Sequence, residues 1–355
     1  MRGDWMRKKG GPSLSPAFGG TNGFPYQSLT AGSAGKRKDR KDNGDIVILM
    51  FSRRNVLLAP LAGAVAGIMT DAVSNAIAAT GKMTLCMHQG TSRAAGFQKS
   101  LEGWSKAGIK NVELSDTMLD GFLKNDSLAT AGRLVKDLGL TAVSSQAVLP
   151  DVWIPGPARA ASLETWKKRC EQFSTLGVPK IYCPSVTNRK VTMDDYKATP
   201  GCIHEAGDIA KQFNITGMIE FARTSTHLAT LTSSLKMIRD AAHPNVRPMM
   251  DFFHFWSGLS KFEDLDLLNH GELVHAHFQG VADVPKELYD NNSRLIPGDG
   301  IAPLTKILHK LSEKGYTGAL SVELFLPELV NGDPYEVARK IRESSEAVLH
   351  KAKVA

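Results

Sequence analysis

Four apolar runs in the second half of the chain are each interrupted by one polar residue that could bind a metal ion. The runs read MIEF, MMDF, AHF and SVELF, and their polar members are Glu220, Asp251, His277 and Glu323. A buried carboxylate without a partner costs on the order of several kcal/mol, so each acid needs a cation, a donor or water. Three carboxylates and one imidazole suit a divalent ion such as Mn²⁺, Zn²⁺, Co²⁺ or Mg²⁺. Taken singly, each residue fits helix capping or ion pairing better, so the fold must decide.

The spacing of the apolar segments predicts a fold that would bring the four together. Eight candidate strands start at a mean interval of roughly 34 residues, with helical patterns between them. This alternation is typical of parallel βαβ units, and eight of them in about 250 residues predict a single-domain (β/α)8 TIM barrel. The competing α/β fold is an open doubly wound sheet, but HQGTSRAAG after the first strand is not its GxGxxG turn. The candidate strands are residues 83–88, 111–115, 141–148, 180–185, 215–222, 246–252, 273–279 and 319–325.

The active site of such a barrel lies at the carboxyl ends of its strands. The four polar residues fall at the ends of candidate strands five to eight. Adjacent strands are about 4.8 Å apart, so four consecutive strand ends can converge on one point. Carboxylates packed together repel one another and raise at least one pKa unless a cation neutralises them. We therefore expect Glu220, Asp251, His277 and Glu323 to bind one divalent metal ion.

Two further residues are candidates for substrate binding at the same mouth. His254 lies three residues after Asp251 and could contact the substrate or aid proton transfer, or else orient a metal ligand. Arg294 lies in the stretch DNNSRLIPGDG after the seventh strand, where Pro and Gly predict a rigid turn. It could reach a substrate oxygen from this loop, or pair with Asp299 at the surface.

Two other histidines are placed by strand periodicity. His88 follows the first strand and could line the mouth opposite the metal as a substrate-binding residue, or pack in the core. His275 lies two residues before His277, so it shares the same strand face one layer deeper, and we expect it to pack in the core.

Residues 82–352 resemble the xylose-isomerase-like TIM-barrel superfamily of sugar phosphate isomerases and epimerases. The motifs that carry the resemblance are MMDFFHF, VHAHFQGV, SRLIPGDG and GYTGALSVELFLPE, and they are most similar to those of the inosose isomerases. The resemblance implies that the same four residues hold the metal and that Glu220 and Glu323 also serve as acid and base in an enediol mechanism. The resemblance also matches His254 to the family's histidine three residues after the aspartate ligand, and Arg294 to its loop arginine before PGxG. Gln279 stands where the family often has an acidic residue, which could alter substrate recognition.

These features predict a divalent-metal-dependent isomerase or epimerase of a cyclic polyol ketone or keto-sugar such as an inosose. The alternative enzyme is a lyase or dehydratase acting on a 3-keto-glycoside. It would abstract the same proton beside a carbonyl but expel a group from the β-carbon. A non-catalytic sugar-binding barrel is the third option, although it would be expected to lack a ligand or a proton-transfer carboxylate. The sequence leaves the oligomeric state open, with a homo-oligomer as one option.

The net charge of +7 belongs to the start of the chain and not to its body. Residues 1–55 hold 11 of the 43 Lys and Arg but 4 of the 36 Asp and Glu, so the remaining charges balance. A general electrostatic footprint for nucleic acid is therefore not expected. The cysteines show no CxxC spacing and are expected to be buried thiols: Cys86, Cys170, Cys183 and Cys202.

Residues 50–78 have the three parts of an export signal. Arg53 and Arg54 precede a 14-residue apolar run, Val56 to Met69, and AIA follows at residues 76–78. The Arg pair after a Ser resembles a twin-arginine signal, and the apolar run is too short for stable membrane insertion. The sequence thus predicts a periplasmic or otherwise exported protein. A cytoplasmic location is the alternative, because inosose catabolism is ordinarily cytoplasmic.

The 49 residues before this signal are rich in Gly, Ser and Lys and include GKRKDRKDNGD. Such a segment cannot bury a core, so we expect a disordered leader over residues 1–49. A signal that begins at Met50 would be more regular, so translation could start there, with residues 1–49 not translated.

Replacing both Arg53 and Arg54 by Lys should keep a reporter fused to this signal in the cytoplasm, because the twin-arginine route recognises the paired arginines. Reporter activity in the cytoplasmic and exported fractions measures the effect. Unchanged export of the double variant would contradict the assignment of the signal.

Overall fold

The computed structural model describes residues 82–187 and 189–355, and in these ranges eight parallel strands close into a barrel. The barrel consists of the first seven strands and the tenth, which follow one another in chain order around the axis. The eighth and ninth strands form a separate two-stranded ribbon. The strands are β1 (Thr84–His88), β2 (Asn111–Leu114), β3 (Thr141–Gln146), β4 (Lys180–Pro184), β5 (Thr216–Glu220), β6 (Val246–Asp251), β7 (Ala276–His277), β8 (Gly280–Val281), β9 (Arg294–Leu295) and β10 (Ala319–Val322).

Helices connect the strands and bury an apolar stripe on one face. On the helix before β10, for example, the buried residues follow the spacing i, i+3, i+4 and i+7. The helices are α1 (Gly96–Lys106), α2 (Asp116–Phe122), α3 (Leu128–Asp137), α4 (Arg159–Thr175), α5 (Met193–Gln212), α6 (Leu231–Ala241), α7 (Phe252–Ser257), α8 (Leu304–Glu313), α9 (Pro327–Val330) and α10 (Pro334–Ala352). Within the described ranges, no helix combines the length and apolar character needed to cross a membrane.

The register of the strands brings the polar residues at their ends to one level. Asp251, the last residue of β6, is paired with His277, the last residue of β7. On its other side His277 is paired with Ser321 of β10, and Glu323 follows two residues later. Because alternate residues of a strand point to the same side, Glu323 faces the barrel interior as Ser321 does. Glu220 is the last residue of β5, so four successive barrel strands each present one of these side chains at the carboxyl end.

The ribbon of β8 and β9 carries the chain back across the same end of the barrel. Val281 is paired with Arg294 in this ribbon, and the carbonyl of Val281 also accepts the amide of Ile301 at 2.9 Å. Gly300 passes so close that a Cβ there would lie 1.9 Å from the Val281 carbonyl oxygen, and its φ is +81°. Only glycine tolerates both this close approach and this positive φ. Gly300 thereby lets the PGDG turn pack against Val281, and the turn holds Arg294 above the strand ends.

The predicted fold is confirmed, and the eight predicted segments each contain one barrel strand. The largest difference is at β7, which has two residues in regular pairing where residues 273–279 were predicted. The chain leaves the ladder soon after His277 because Gly280 and Val281 pair with β9 instead. All four cysteines are free thiols, but Cys202 is half-buried, unlike the other three. The predicted leader and export signal, residues 1–49 and 50–78, lie outside the described residues and stay predictions.

Candidate active site

The four residues predicted as metal ligands lie together at the carboxyl end of the barrel. One ligand atom from each lies within 4.8 Å of those of the other three. Nδ1 of His277 is 3.1 Å from Oε1 of Glu220, 3.3 Å from Oδ2 of Asp251 and 3.5 Å from Oε2 of Glu323. All four side chains are buried, which makes unpaired negative charge costly.

The hydrogen-bond network of His277 favours a metal at its Nδ1. Its other nitrogen, Nε2, lies 3.4 Å from Oε1 of Glu113, a carboxylate that can only accept. The neutral ring therefore carries its proton on Nε2 and directs the Nδ1 lone pair towards the three carboxylates. Oε1 of Glu220 is buried there without a hydrogen-bond partner. A divalent cation would satisfy all of these atoms at once, so the residues fit a metal ion.

A second cluster of histidine and aspartate side chains, on the outside of the barrel, does not offer a lone pair of His243 to a metal ion. Nε2 of His243 lies 3.2 Å from Oδ1 of Asp208, and His204 is nearby. Nδ1 of His243, however, accepts the amide hydrogen of Asn245 at 3.1 Å. The neutral ring must then carry its proton on Nε2, which leaves no lone pair for a metal.

Asp251 both caps a helix and faces the site. Oδ1 accepts the backbone amide of His254, which caps the start of α7, and also accepts Nε2 of Gln279, each at 2.8 Å. Oδ2 faces His277. The capping interpretation and the metal interpretation are therefore compatible, because each uses a different oxygen of the same carboxylate.

Arg294 is buried among the carboxylates and does not pair with Asp299. Its Nη1 donates to Oδ2 of Asp251 and lies 3.1 Å from Oε2 of Glu323. The guanidinium lies over the ring of Phe253, 4.7 Å from its centroid. This fixed positive charge offsets part of the negative charge of the site.

His254 is half-buried beside Arg294, with Nε2 3.2 Å from Nη2 of the guanidinium. Because a guanidinium can only donate, this nitrogen acts as an acceptor. Burial lowers the pKa of His254 to about 4, although the charge of Asp251 opposes the shift. His254 is therefore neutral near pH 7, with its Nε2 lone pair directed at Arg294.

The two glutamates have pKa values that shift in opposite directions. Burial raises the pKa of Glu220 to about 7, although the nearby ring of His277 opposes the shift. Burial also acts on Glu323, but there the charges of His277 and Arg294 outweigh it and lower the pKa. Two neighbouring carboxyl groups with different proton affinities are the usual arrangement for acid and base catalysis.

His88 lies behind Glu323 with both ring nitrogens used by the protein. Nδ1 accepts the amide of Gly90 at 3.1 Å, so the Nε2 proton can go to Oε1 of Gln146 at 2.8 Å. The hydroxyl of Tyr182 joins this group and donates to Oε1 of Glu323 at 3.2 Å. Holding Tyr182 and Glu323 in place thus fits His88 better than the predicted substrate contact.

Sequence reasoning missed Glu113, Gln146 and Tyr182. Each lies inside a predicted strand, in NVELS, TAVSSQAV and KIYCPS. The signal that each carries is a polar residue within a short apolar strand, the same signal that marks strands five to eight. His275 lies one layer deeper than His277 as predicted, with its Nε2 2.8 Å from Oε2 of Glu113.

Comparison with known proteins agrees with this architecture. A family model described as xylose isomerase-like TIM barrel matches residues 101–348. The chain belongs to this family. It is 26% identical to the inosose isomerase of Halalkalibacterium halodurans over 285 residues, covering 76% of this chain and 97% of the relative. It is also 26% identical to the inosose isomerase of Bacillus velezensis, covering 76% of this chain and 98% of the relative.

Two solved structures share the fold of this chain. An IolI protein with a bound zinc atom superposes with a TM-score of 0.71 at 23% identity, covering 76% of this chain and 99% of that one. D-psicose 3-epimerase from Clostridium cellulolyticum, with D-tagatose, has a TM-score of 0.61 at 17% identity, covering 75% and 99%. At these identities the likeness shows the fold of this family member and not its chemistry.

The variants Asp251→Asn and His277→Ala should each lose bound divalent metal, because one removes a charged ligand and the other removes the imidazole. Elemental analysis of dialysed protein measures the loss. His204→Ala, in the outer cluster, is the matched control and should keep the wild-type metal content. Full retention of metal by both site variants would contradict the four-residue site.

Metal binding should release more protons at low pH than at high pH. The charges of Glu323 and Glu113 outweigh burial and hold the pKa of His277 well above its usual range, so its Nδ1 is protonated before metal binds. Glu220 is also protonated below its pKa of about 7. Mn²⁺ should therefore displace about two protons at pH 6 and about one at pH 8.5. Titration calorimetry in buffers of different ionisation enthalpy counts them.

The variant Glu220→Gln should release about one proton at both pH values, because only the proton on His277 remains to be displaced. Equal release at the two pH values by the wild-type protein would show that Glu220 does not hold a proton near neutrality.

Proposed function

We propose that this protein is a divalent-metal-dependent isomerase or epimerase of a cyclic polyol ketone or keto-sugar. The observation that carries the proposal is the convergence of two glutamates, from β5 and from the end of β10, on Nδ1 of one histidine, an arrangement that fits a metal. The relatives named inosose isomerase and the D-psicose 3-epimerase fold support the substrate class.

Glu220, Asp251, His277 and Glu323 would hold the ion, and the zinc atom of the IolI structure supports this assignment. Mn²⁺, Zn²⁺, Co²⁺ and Mg²⁺ all accept such oxygen-rich ligands. A bound divalent ion would supply Lewis acidity that favours the enediolate form of a ketone substrate.

The protein's own groups provide the proton transfers. Glu220 and Glu323 reach the site from strands separated by β6 and β7, so they can address adjacent carbons or opposite faces of one substrate. One glutamate removes the proton on the carbon beside the carbonyl, and the other returns a proton. Arg294, 3.1 Å from Oε2 of Glu323, favours the ionised form of that glutamate. Burial of both acids limits competition from water.

Neutral polar groups around these acids suit an uncharged polyol. His254 lies uncharged at the mouth, and its short helix α7 is fixed by the cap from Asp251. The guanidinium of Arg294 is already paired with two carboxylates, those of Asp251 and Glu323.

The lyase or dehydratase alternative uses the same first step and differs in the loss of a β-substituent. The export signal predicted for residues 50–78 favours the lyase or dehydratase, because an exported enzyme would encounter glycosides outside the cell membrane.

Purified, metal-loaded protein incubated with inososes and 3-keto-glycosides in D₂O should incorporate deuterium beside the carbonyl, as followed by NMR. An isomerised or epimerised product supports the proposal, whereas an unsaturated product with a released group supports the lyase. Binding of these ketones without any exchange would contradict both and would indicate a sugar-binding barrel.

The variants Glu220→Gln and Glu323→Gln should each reduce turnover by at least about 100-fold while retaining some metal, because Gln keeps the shape and one oxygen but cannot carry the proton. Turnover, deuterium exchange and metal content are measured on the same samples. Glu164→Gln, an exposed position on α4, is the matched control and should behave as the wild type.

If both Gln variants stay metal-loaded and exchange deuterium at the wild-type rate, the two-glutamate mechanism is wrong. His254 would then become the leading candidate for the base, since its ring is neutral and lies beside Arg294 at the mouth.

A further inference from the structure

We propose that Glu113 is a positioning residue that holds His277 in the orientation and tautomer needed to bind metal through Nδ1, an inference that rests on the proposed metal site. Glu113 lies on β2, across the barrel from β7, and is completely buried. The proposed proton transfers do not use it.

The carboxylate of Glu113 connects two imidazoles of the same chain segment. Oε2 lies 2.8 Å from Nε2 of His275, and Oε1 lies 3.4 Å from Nε2 of His277. Each oxygen thus serves one ring. His275 precedes His277 by two residues on the same face, so a single carboxylate spans two layers of the barrel interior.

Glu113 determines which nitrogen of His277 remains free. Within the described part of the chain, Glu113 is the one partner of Nε2 in hydrogen bonds and ion pairs. The three carboxylates of the proposed site all lie at Nδ1. Metal binding leaves one proton on the ring, and the acceptor at Nε2 holds that proton there. Without this acceptor the remaining proton could stay at Nδ1, bound to a carboxylate and in competition with the metal.

The arrangement around His275 supports a positioning role for Glu113. Nε2 of His275 also lies 3.2 Å from Oγ of Ser144, while its Nδ1 is buried without a partner. An orphaned buried nitrogen is unfavourable, and an apolar side chain would avoid it. The contact between His275 and Glu113 explains why an imidazole, and not an apolar side chain, lies this deep in the barrel interior.

Glu113→Gln is the test variant because it keeps the size of the side chain but leaves one acceptor oxygen for two imidazoles. It should bind Co²⁺ about 10- to 100-fold more weakly than the wild type, and the visible absorption spectrum of bound Co²⁺ should change. Affinity and spectrum are measured by titration, and thermal unfolding of the metal-free proteins checks that the variant is folded.

Ser144→Ala is the matched control, since it removes the other neighbour of His275 without touching His277. It should bind Co²⁺ with the affinity and spectrum of the wild type. Loss of Co²⁺ affinity in this control equal to that in Glu113→Gln would overturn the proposal, because any disturbance of the core would then be sufficient.

A second measurement needs no variant. In the zinc-loaded wild-type protein with ¹⁵N-labelled histidine, NMR should show His277 protonated at Nε2 and ligated at Nδ1, and the reverse pattern would overturn the proposal. Wild-type affinity and spectrum in Glu113→Gln would overturn it while leaving the metal site intact. Failure of the wild-type protein to bind any of these metals would overturn the metal site itself and this inference with it.

Discussion

The imidazole of His277 is the centre on which the site depends, because four carboxylates lie within 3.5 Å of its two nitrogens. Two like charges about 4 Å apart repel by roughly 4 kcal/mol at the effective dielectric constant of a protein, so such a cluster needs compensation. Without metal, protons on Glu220 and His277 and the charge of Arg294 provide it. A divalent cation that displaces those two protons leaves the net charge of the site unchanged. The same cluster can therefore exist in both states without rearrangement of the barrel.

The barrel makes this concentration of charge geometrically available. Parallel strands place the last residues of β6 and β7 side by side, Glu220 ends β5 beside Met249 of β6, and Glu323 continues the inward face of β10. The ribbon of β8 and β9 then returns Arg294 over them, which the glycine at residue 300 permits by passing close to Val281. The buried ring of Phe253, which lies against the Arg294 guanidinium, helps to keep water away and strengthens its ionic contacts.

The sequence predicted the barrel and the four converging residues because both follow from local periodicity and from the rule that strand ends meet. It did not predict which polar residues lie behind them. Glu113 reaches His277 from the opposite side of the barrel, and Tyr182 reaches Glu323 across it, so these contacts depend on the three-dimensional closure and not on spacing along the chain. Arg294 was recognised as a site residue, but its burial between two carboxylates could not be read from a loop sequence.

Gln279 shows how a residue near the ligands can act without touching a substrate. It is completely buried, and its amide nitrogen donates to Oδ1 of Asp251 at 2.8 Å, the oxygen that also caps α7. A carboxylate at this position would place a further negative charge against Asp251 and would have to take up a proton or a cation. The neutral amide instead supplies a donor, so Asp251 can stay ionised and direct Oδ2 to the site. The expected influence of this position on substrate recognition would then act through the charge and orientation of Asp251, which in turn fix the start of α7 and the position of His254.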